Sequence, residues 1–325
     1  MNRATDLNLA ASIEQAAERI TPHILRTPLF HSNYLSELTG GEVYLKLESE
    51  QVTGSFKARG ALNKVLAMTP EQKANGLVTA STGNHAQGFA RALSISGDHG
   101  LIYLPENAEP SKVEALKHYK VELAFYGNDC LQTELHAKQQ AQEKGMVWVS
   151  PYNDPMIIAG QGTVGKEILE QQPGIDTVLA TIGGGGLISG TAAWIKHYSP
   201  QTEIIGCLPE NAPEMYLSIQ KGEVVNLEDP PDTLSDGSAG GCEPGAITFG
   251  LCQELVDDYL LLSENDIASA IRWMADKHHK IIEGAAAVAL GCFIKNADRF
   301  EGKKVAIVIC GANITNEKLA NILYN

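Results

Sequence analysis

Along most of the chain, short apolar runs alternate with longer stretches whose apolar positions recur at helical spacing. Residues 43–47 alternate apolar and polar, as a half-buried strand does. Residues 76–80, 100–104, 121–125, 176–182, 203–208 and 304–310 are short apolar runs bounded by turn residues or charges. In 264–278, Ile267, Ile271 and Met274 share one helical face, and Ser263 with Asp266 forms a capping box at its start. Such alternation predicts an α/β fold of parallel sheets covered by helices. The least regular section is 222–250, with Pro230-Pro231, the run Asp236 to Gly241, and Pro244-Gly245. A loop of that length reads either as plain surface or as the wall of a functional site.

Composition narrows the function classes. With 325 residues and 44% hydrophobic content, the chain can bury a large core in one or two domains. Its 25 basic and 39 acidic residues give a net charge of -14, which disfavours nucleic acid and anionic membrane as partners. The first twenty residues contain acidic side chains and lack the unbroken apolar core of a signal peptide. The most apolar later stretch, Ile281 to Ile294, contains Glu283 and is too short to span a bilayer. Cys130, Cys207, Cys242, Cys252, Cys292 and Cys310 show no C-x-x-C pairing, so a disulfide framework and a zinc site are not expected and a reducing cytoplasm is. In that compartment the sequon Asn313-Ile314-Thr315 is a chance match.

Four motifs carry candidate chemistry. Gly54-Ser55-Phe56-Lys57-Ala58-Arg59-Gly60 follows the 43–47 strand and opens a helix predicted to run to about Met68. A lysine one turn inside a helix start lies near the positive end of the dipole, which lowers amine basicity and suits a nucleophile; the alternative is a solvated surface lysine. Ser81-Thr82-Gly83-Asn84-His85-Ala86-Gln87-Gly88 lies between a strand and an Ala-rich helix. Small hydroxyls and N–H groups there make an anion site for a carboxylate, or else simply a capped helix start. Gly183-Gly184-Gly185-Gly186-Leu187 follows another strand. Four glycines let the chain wrap a phosphate, and their conformational entropy argues against an idle turn. The pattern fits neither a dinucleotide nor a nucleoside triphosphate fingerprint. Finally, the 304–310 strand ends at Cys310-Gly311, where a small buried thiol is the ordinary reading.

These four motifs, in this order and over nearly the whole chain, resemble fold-type II pyridoxal-phosphate enzymes, nearest the threonine/serine dehydratase and serine racemase group. The resemblance implies the open twisted parallel-sheet fold of the tryptophan synthase β-like enzymes. Residues 1–69 and 151–325 would form a large cofactor domain, and 70–150 a small one. It implies that Lys57 carries pyridoxal 5′-phosphate covalently and later moves the substrate α-proton. By the same resemblance Phe56 lines the cofactor, Asn84 bonds its ring hydroxyl, Gly183, Gly184, Gly185, Gly186 and Leu187 cradle its phosphate, and Cys310 faces its ring nitrogen. Ser81, Thr82, Gly83, Asn84 and His85 take the substrate, carboxylate first. Glu283 is placed near the ring. The implied reaction is β-elimination of water from a small hydroxy-amino acid, giving a 2-oxo acid and ammonia, in a homodimer.

Departures from the group bear on regulation and partition. Metal-dependent relatives place an acidic residue where this chain has Leu208, so no metal is expected although Glu210 and Glu214 remain. Most of the group has serine where Cys310 stands. His278-His279 end a helix and serve its C-terminal charge. Isoleucine-inhibited relatives carry an extra C-terminal regulatory domain, whereas this chain ends at Asn325, so that control is not expected. Racemases in the group use a serine hydroxyl at the position of Thr82. A racemase, or a dehydratase of another 3-hydroxy amino acid such as hydroxyaspartate, is therefore the alternative.

Overall fold

A computed structural model describes residues 7–119, 121–128 and 130–324. Residues 1–6 of the amino-terminal stretch, Lys120, Asp129, Asn325 and the side chains of Cys130 and Leu131 lie outside the described residues. In chain order the elements are α1 (Leu9–Ile20), β1 (Leu29–His31), α2 (Asn33–Thr39), β2 (Glu42–Leu47), α3 (Lys57–Ala67), β3 (Leu77–Ala80), α4 (Asn84–Ser96), β4 (Gly100–Leu104), α5 (Pro110–Lys117), β5 (Glu122–Phe125), α6 (Cys130–Lys144), β6 (Val147–Trp148), α7 (Pro155–Gln171) and β7 (Thr177–Thr181). There follow α8 (Gly186–Tyr198), β8 (Glu203–Pro209), α9 (Glu214–Lys221), α10 (Ile247–Leu255), β9 (Asp258–Leu262), α11 (Glu264–His278), α12 (Gly284–Lys295), β10 (Lys304–Ile309) and α13 (Asn316–Tyr324).

The strands form two sheets. One has six strands in the order β1-β2-β10-β7-β8-β9, parallel except for the edge pair β1–β2. The other has four parallel strands in the order β5-β4-β3-β6. The sequence-derived strands match observed ones to within a residue or two at their ends; β1, β6 and β9 are additions. Ser263 caps α11 as expected, its hydroxyl accepting from the Asp266 N–H at 3.3 Å, while Asp266 Oδ2 accepts from that hydroxyl at 2.7 Å.

Burial explains the architecture. Strand β7 is buried along its whole length and β10 from Val305 to Ile309, as expected for central parallel strands covered on both faces. Helix α12 is buried from Gly284 to Phe293 and lies against β7, β8 and β10. A second core gathers Leu77, Phe89, Ile102, Leu104 and Val149 around the four-stranded sheet. It also draws in Ile20, Leu62, Val65 and Ile157, so α1, α3 and α7 tie the two sheets together. Among the described residues, no helix is long and apolar enough to cross a membrane.

Candidate functional site

Because β2, β10 and β7 are adjacent and parallel, the segments leaving their C-terminal ends emerge side by side. Those segments are the Lys57 motif, Cys310-Gly311 and the tetraglycine run. The C-terminal end of β3 in the other sheet contributes the fourth, Ser81 to His85. Topology thus brings together motifs that lie far apart in sequence, at the strand ends where open α/β sheets bind ligands.

The lysine loop is pinned to the end of β10. The Phe56 N–H donates to Cys310 O at 3.0 Å and the Ala312 N–H to Gly54 O at 2.9 Å. Gly54 has φ +71°, and a Cβ there would lie 2.7 Å from Asn313 Oδ1. Lys57 is the first residue of α3, one turn earlier than the sequence pattern predicts, with Phe56 in the capping position. Its Nζ donates to Pro151 O at 2.7 Å. Burial pushes its pKa down to about 8, partly offset by Cys310 and Glu283. Phe56 places its ring 5.2 Å from Nζ.

The Ser81–His85 turn leaves a helix start open. The Gly83 N–H donates to Ser81 Oγ at 3.2 Å, and Gly83, not Thr82, occupies the capping position of α4. No side chain caps this helix, so Thr82 does not serve as a cap and the first N–H groups of α4 are left for a ligand. Thr82 is half-buried. Asn84 Nδ2 donates to both carboxylate oxygens of Glu283, at 2.8 and 3.1 Å, and Asn313 Nδ2 donates to Asn84 Oδ1 at 2.6 Å. The His85 ring turns away from the turn: its Nε2 donates to Val149 O at 3.2 Å. Burial and the nearby Lys57 push that imidazole down to about 3, so only the backbone of His85 belongs to the anion site.

The tetraglycine run is packed where no side chain fits. A Cβ on Gly183 would come within 2.8 Å of Ser238 O, one on Gly184 within 2.5 Å of the Tyr152 ring, and one on Gly186 within 3.1 Å of Tyr152 Cα. Gly185 has φ +83°. Helix α8 begins at Gly186 without a side-chain cap, while Leu187 is buried beneath it. Cys310 is buried, and burial raises its thiol well above the ordinary value, so the end of β10 presents a neutral group. Glu283 lies over Gly311, where a Cβ would be 2.4 Å from its Oε1; burial raises this carboxyl to about 7.

The irregular 222–250 segment does form a wall of the site. It contains a short turn, Asp236–Ser238, and Ser238 rests on Gly183. Further along, the Glu243 N–H donates to Tyr152 Oη at 2.8 Å, and the Glu243 carboxylate bonds Lys138 of α6 and Asn153 at 2.6 Å each. Pro151, Tyr152 and Ser238 are site residues that carry no motif. Their one sequence signal is position, just before the Asp154-Pro155 helix start or within the irregular segment. Leu208 is buried in β8, and Glu214 is buried at the start of α9. Among the described residues, no three His, Cys, Asp or Glu side chains converge as for a metal ion.

This donor set fits pyridoxal 5′-phosphate. A depressed amine, a glycine cradle closed to any Cβ, an uncapped helix start and a neutral thiol at a strand end match its aldehyde, its phosphate and its ring nitrogen. The comparisons with known proteins agree. The family described as pyridoxal-phosphate dependent enzyme matches residues 20–311. L-threonine ammonia-lyase of Thermotoga maritima is 41% identical over 312 residues, covering 96% of this chain and 77% of that one. The structure of maize serine racemase has a TM-score of 0.90 at 33% identity, covering 97% of this chain and 96% of the other. The processed form of threonine deaminase isoform 2 from Solanum lycopersicum has a TM-score of 0.91 at 32% identity, covering 97% and 86%. The chain belongs to the family of pyridoxal-phosphate-dependent enzymes.

Proposed function

We propose that this protein is a threonine/serine ammonia-lyase, removing water from a 3-hydroxy amino acid to leave a 2-oxo acid and ammonia. The observation that carries the reading is Lys57, whose amine is buried, held by a backbone carbonyl and, among the described residues, in no ion pair with a carboxylate. The names of the similar ammonia-lyase and deaminase support it. When bound, the cofactor supplies the electron sink that makes the substrate α-proton acidic. Lys57 anchors it and then takes the proton from the α-carbon, while the β-hydroxyl leaves with a proton as water. The Ser81–Gly83 turn and the open N–H groups of α4 hold the substrate carboxylate. Gly183 to Leu187, with the start of α8, hold the phosphate. Asn84 serves the ring hydroxyl and Cys310 the ring nitrogen, as a neutral partner that leaves the ring largely unprotonated. Tyr152 and Ser238 wall the site from water.

We also read residues 1–69 with 151–325 as the large domain and 70–150 as the small one, and the working form as a cytoplasmic homodimer. The exposed Phe30 and Tyr34, clustered near His278 and Trp273, with exposed Leu38 also on α2, suit such an interface. The test of the reaction is release of 2-oxo acid and ammonium from L-threonine and L-serine. Replacing Lys57 by Ala is expected to lower the rate on the order of a thousandfold. Full turnover by that variant would defeat the mechanism.

One observation favours racemisation as a second activity: Thr82 is a half-buried hydroxyl on the substrate turn and is not used as a cap. L-serine in deuterated water distinguishes the two. Elimination is expected to dominate. D-serine carrying α-deuterium, formed faster than pyruvate and lost in Thr82→Ala, would make racemisation the main reaction.

A further inference from the structure

Below the cofactor lysine lies a buried set of charges that the reaction does not use. Arg59, Lys46 and Glu48 have no exposed surface, and Glu167 is 9% exposed. Arg59 forks twice. Its Nε and Nη2 bond the two oxygens of Glu48 at 2.7 and 2.8 Å, and its Nη1 and Nη2 bond the two oxygens of Glu167 at 2.7 and 3.0 Å. The Thr163 hydroxyl accepts a further bond from Nη1 at 3.1 Å. Lys46 Nζ donates to Glu167 at 2.5 Å, to Thr27 O at 2.8 Å and to Gln171 Oε1 at 2.9 Å, and the Thr27 hydroxyl donates to Glu48 at 2.6 Å. Two cations and two carboxylates balance, and the donors of Lys46 and Arg59 are all engaged. A set like this adds little net stability over apolar residues of equal volume, since desolvation offsets attraction. What a double fork does supply is direction.

That direction converges on Lys57. Arg59 follows it by two residues on α3, so the two side chains project about 200° apart around the helix. Arg59 therefore faces away from the cofactor and cannot touch it. Its partners come from Glu48, just past the end of β2, and from α7 (Thr163 and Glu167). Helix α7 follows directly on the 151–154 segment whose Pro151 carbonyl holds Lys57 Nζ. The same two helices meet at Gly60 and Gly160, where a Cβ on Gly160 would lie 2.6 Å from Gly60 Cα. The Gly60 N–H donates to Gln161 Oε1 at 3.2 Å. With glycine contact on one side and a double fork on the other, the first turn of α3 has one permitted rotation against α7.

We propose that Arg59 is a positioning residue: its two bidentate ion pairs set the rotation of the first turn of α3 and so deliver the Lys57 amine to the cofactor site. The inference rests on Lys57 being the cofactor lysine. Arg59→Lys keeps the charge but loses the fork. In cofactor-free protein it is expected to slow incorporation of pyridoxal 5′-phosphate, followed by absorbance, at least tenfold. The pH midpoint of incorporation is expected to move from about 8 toward the ordinary lysine value. Thr163→Val, nearly isosteric, removes the bond from Nη1 together with the hydroxyl's donation to Gly160 O at 2.7 Å; it is expected to slow incorporation two- to fivefold, and it carries the test should Arg59→Lys fail to fold. Phe293→Leu, in the remote stack on Phe300, serves as the control for general destabilisation and is expected to leave rate and midpoint unchanged. Native rate and midpoint in both Arg59→Lys and Thr163→Val, or an equal loss in Phe293→Leu, would overturn the proposal. Lys57→Ala separates the two readings, because covalent incorporation into that variant would refute Lys57 itself rather than Arg59.

Discussion

At Lys57 the surroundings decide a protonation state. Burial lowers the amine to about 8 from an ordinary value of 10.5, and Cys310 and Glu283 oppose that shift. The remaining titratable neighbour, His85, is held neutral with its value near 3. Only the unprotonated amine attacks an aldehyde. The rate of cofactor incorporation into cofactor-free protein is therefore expected to rise with pH, pass its midpoint near 8 and level off above it. A rate that climbs without a break to pH 10 would show that burial does not govern the lysine. Residues of this kind were legible in the sequence because their side-chain type and spacing carry the chemistry: Lys57, Asn84 and the glycines. Pro151 was not legible, since it acts through a backbone carbonyl that every residue possesses. Nor was the direction of the His85 ring, which is set by the Val149 carbonyl just past the end of β6.

Among the elements, the pairing of α3 with α4 shows what one glycine does. Gly88 lies inside α4, where exchange for Ala ordinarily gains about 1 kcal/mol of helix propensity. Here a Cβ would meet Lys57 O at 2.9 Å and Lys57 C at 3.0 Å, both backbone atoms that cannot swing aside. Overpacking against such neighbours costs about 1–3 kcal/mol, so the clash outweighs the propensity gain. Gly88→Ala is expected to lower the urea midpoint and to slow cofactor incorporation together, because the displaced atoms belong to Lys57. A rise in midpoint would mean that α4 shifts freely. The final glycine of the Ser81–Gly88 motif thus has a packing reason, and that reason becomes visible once α3 and α4 are seen side by side. Strand runs were readable from apolar pattern, whereas β1 and β6, with three and two residues, are too short to show a period. The choice between a capped start and an anion site at α4 is decided by its capping residue, Gly83; α4 and α8 both follow glycines with no side-chain cap, leaving their N–H groups free.

Over the whole molecule, the two sheets are joined across the site by few polar links. Among the described residues they include Asn84 to Glu283 and to Asn313, Lys112 to Asp236, and Lys138 to Glu243. The first is titratable. Burial raises the Glu283 carboxyl from 4.5 to about 7, so the fold prefers its protonated form. Its contribution to stability is fully present below pH 4.5 and is lost as pH rises through about 7. A shift of that size corresponds to roughly 3 kcal/mol at most. In cofactor-free protein, Glu283→Gln is expected to gain stability relative to the native chain at pH 8 but not at pH 5, read as the difference in Tm. An equal difference at both pH values would remove Glu283 as the source. The alternation of strands and helices made the sheet-and-helix class legible. The join between the sheets was not, because Ile20, Leu62 and Ile157 look like any apolar residues until the second core gathers them. The antiparallel edge strand β1 has a further consequence, for aggregation. Strand β2 is six residues long and would otherwise offer a free row of N–H and C=O groups to another chain. Capped by β1, the sheet ends in a three-residue edge running against all its neighbours, too short and wrongly directed to template more parallel strands. At this edge of the six-stranded sheet, pairing of β2 with another chain is expected only after residues 29–31 have peeled from it.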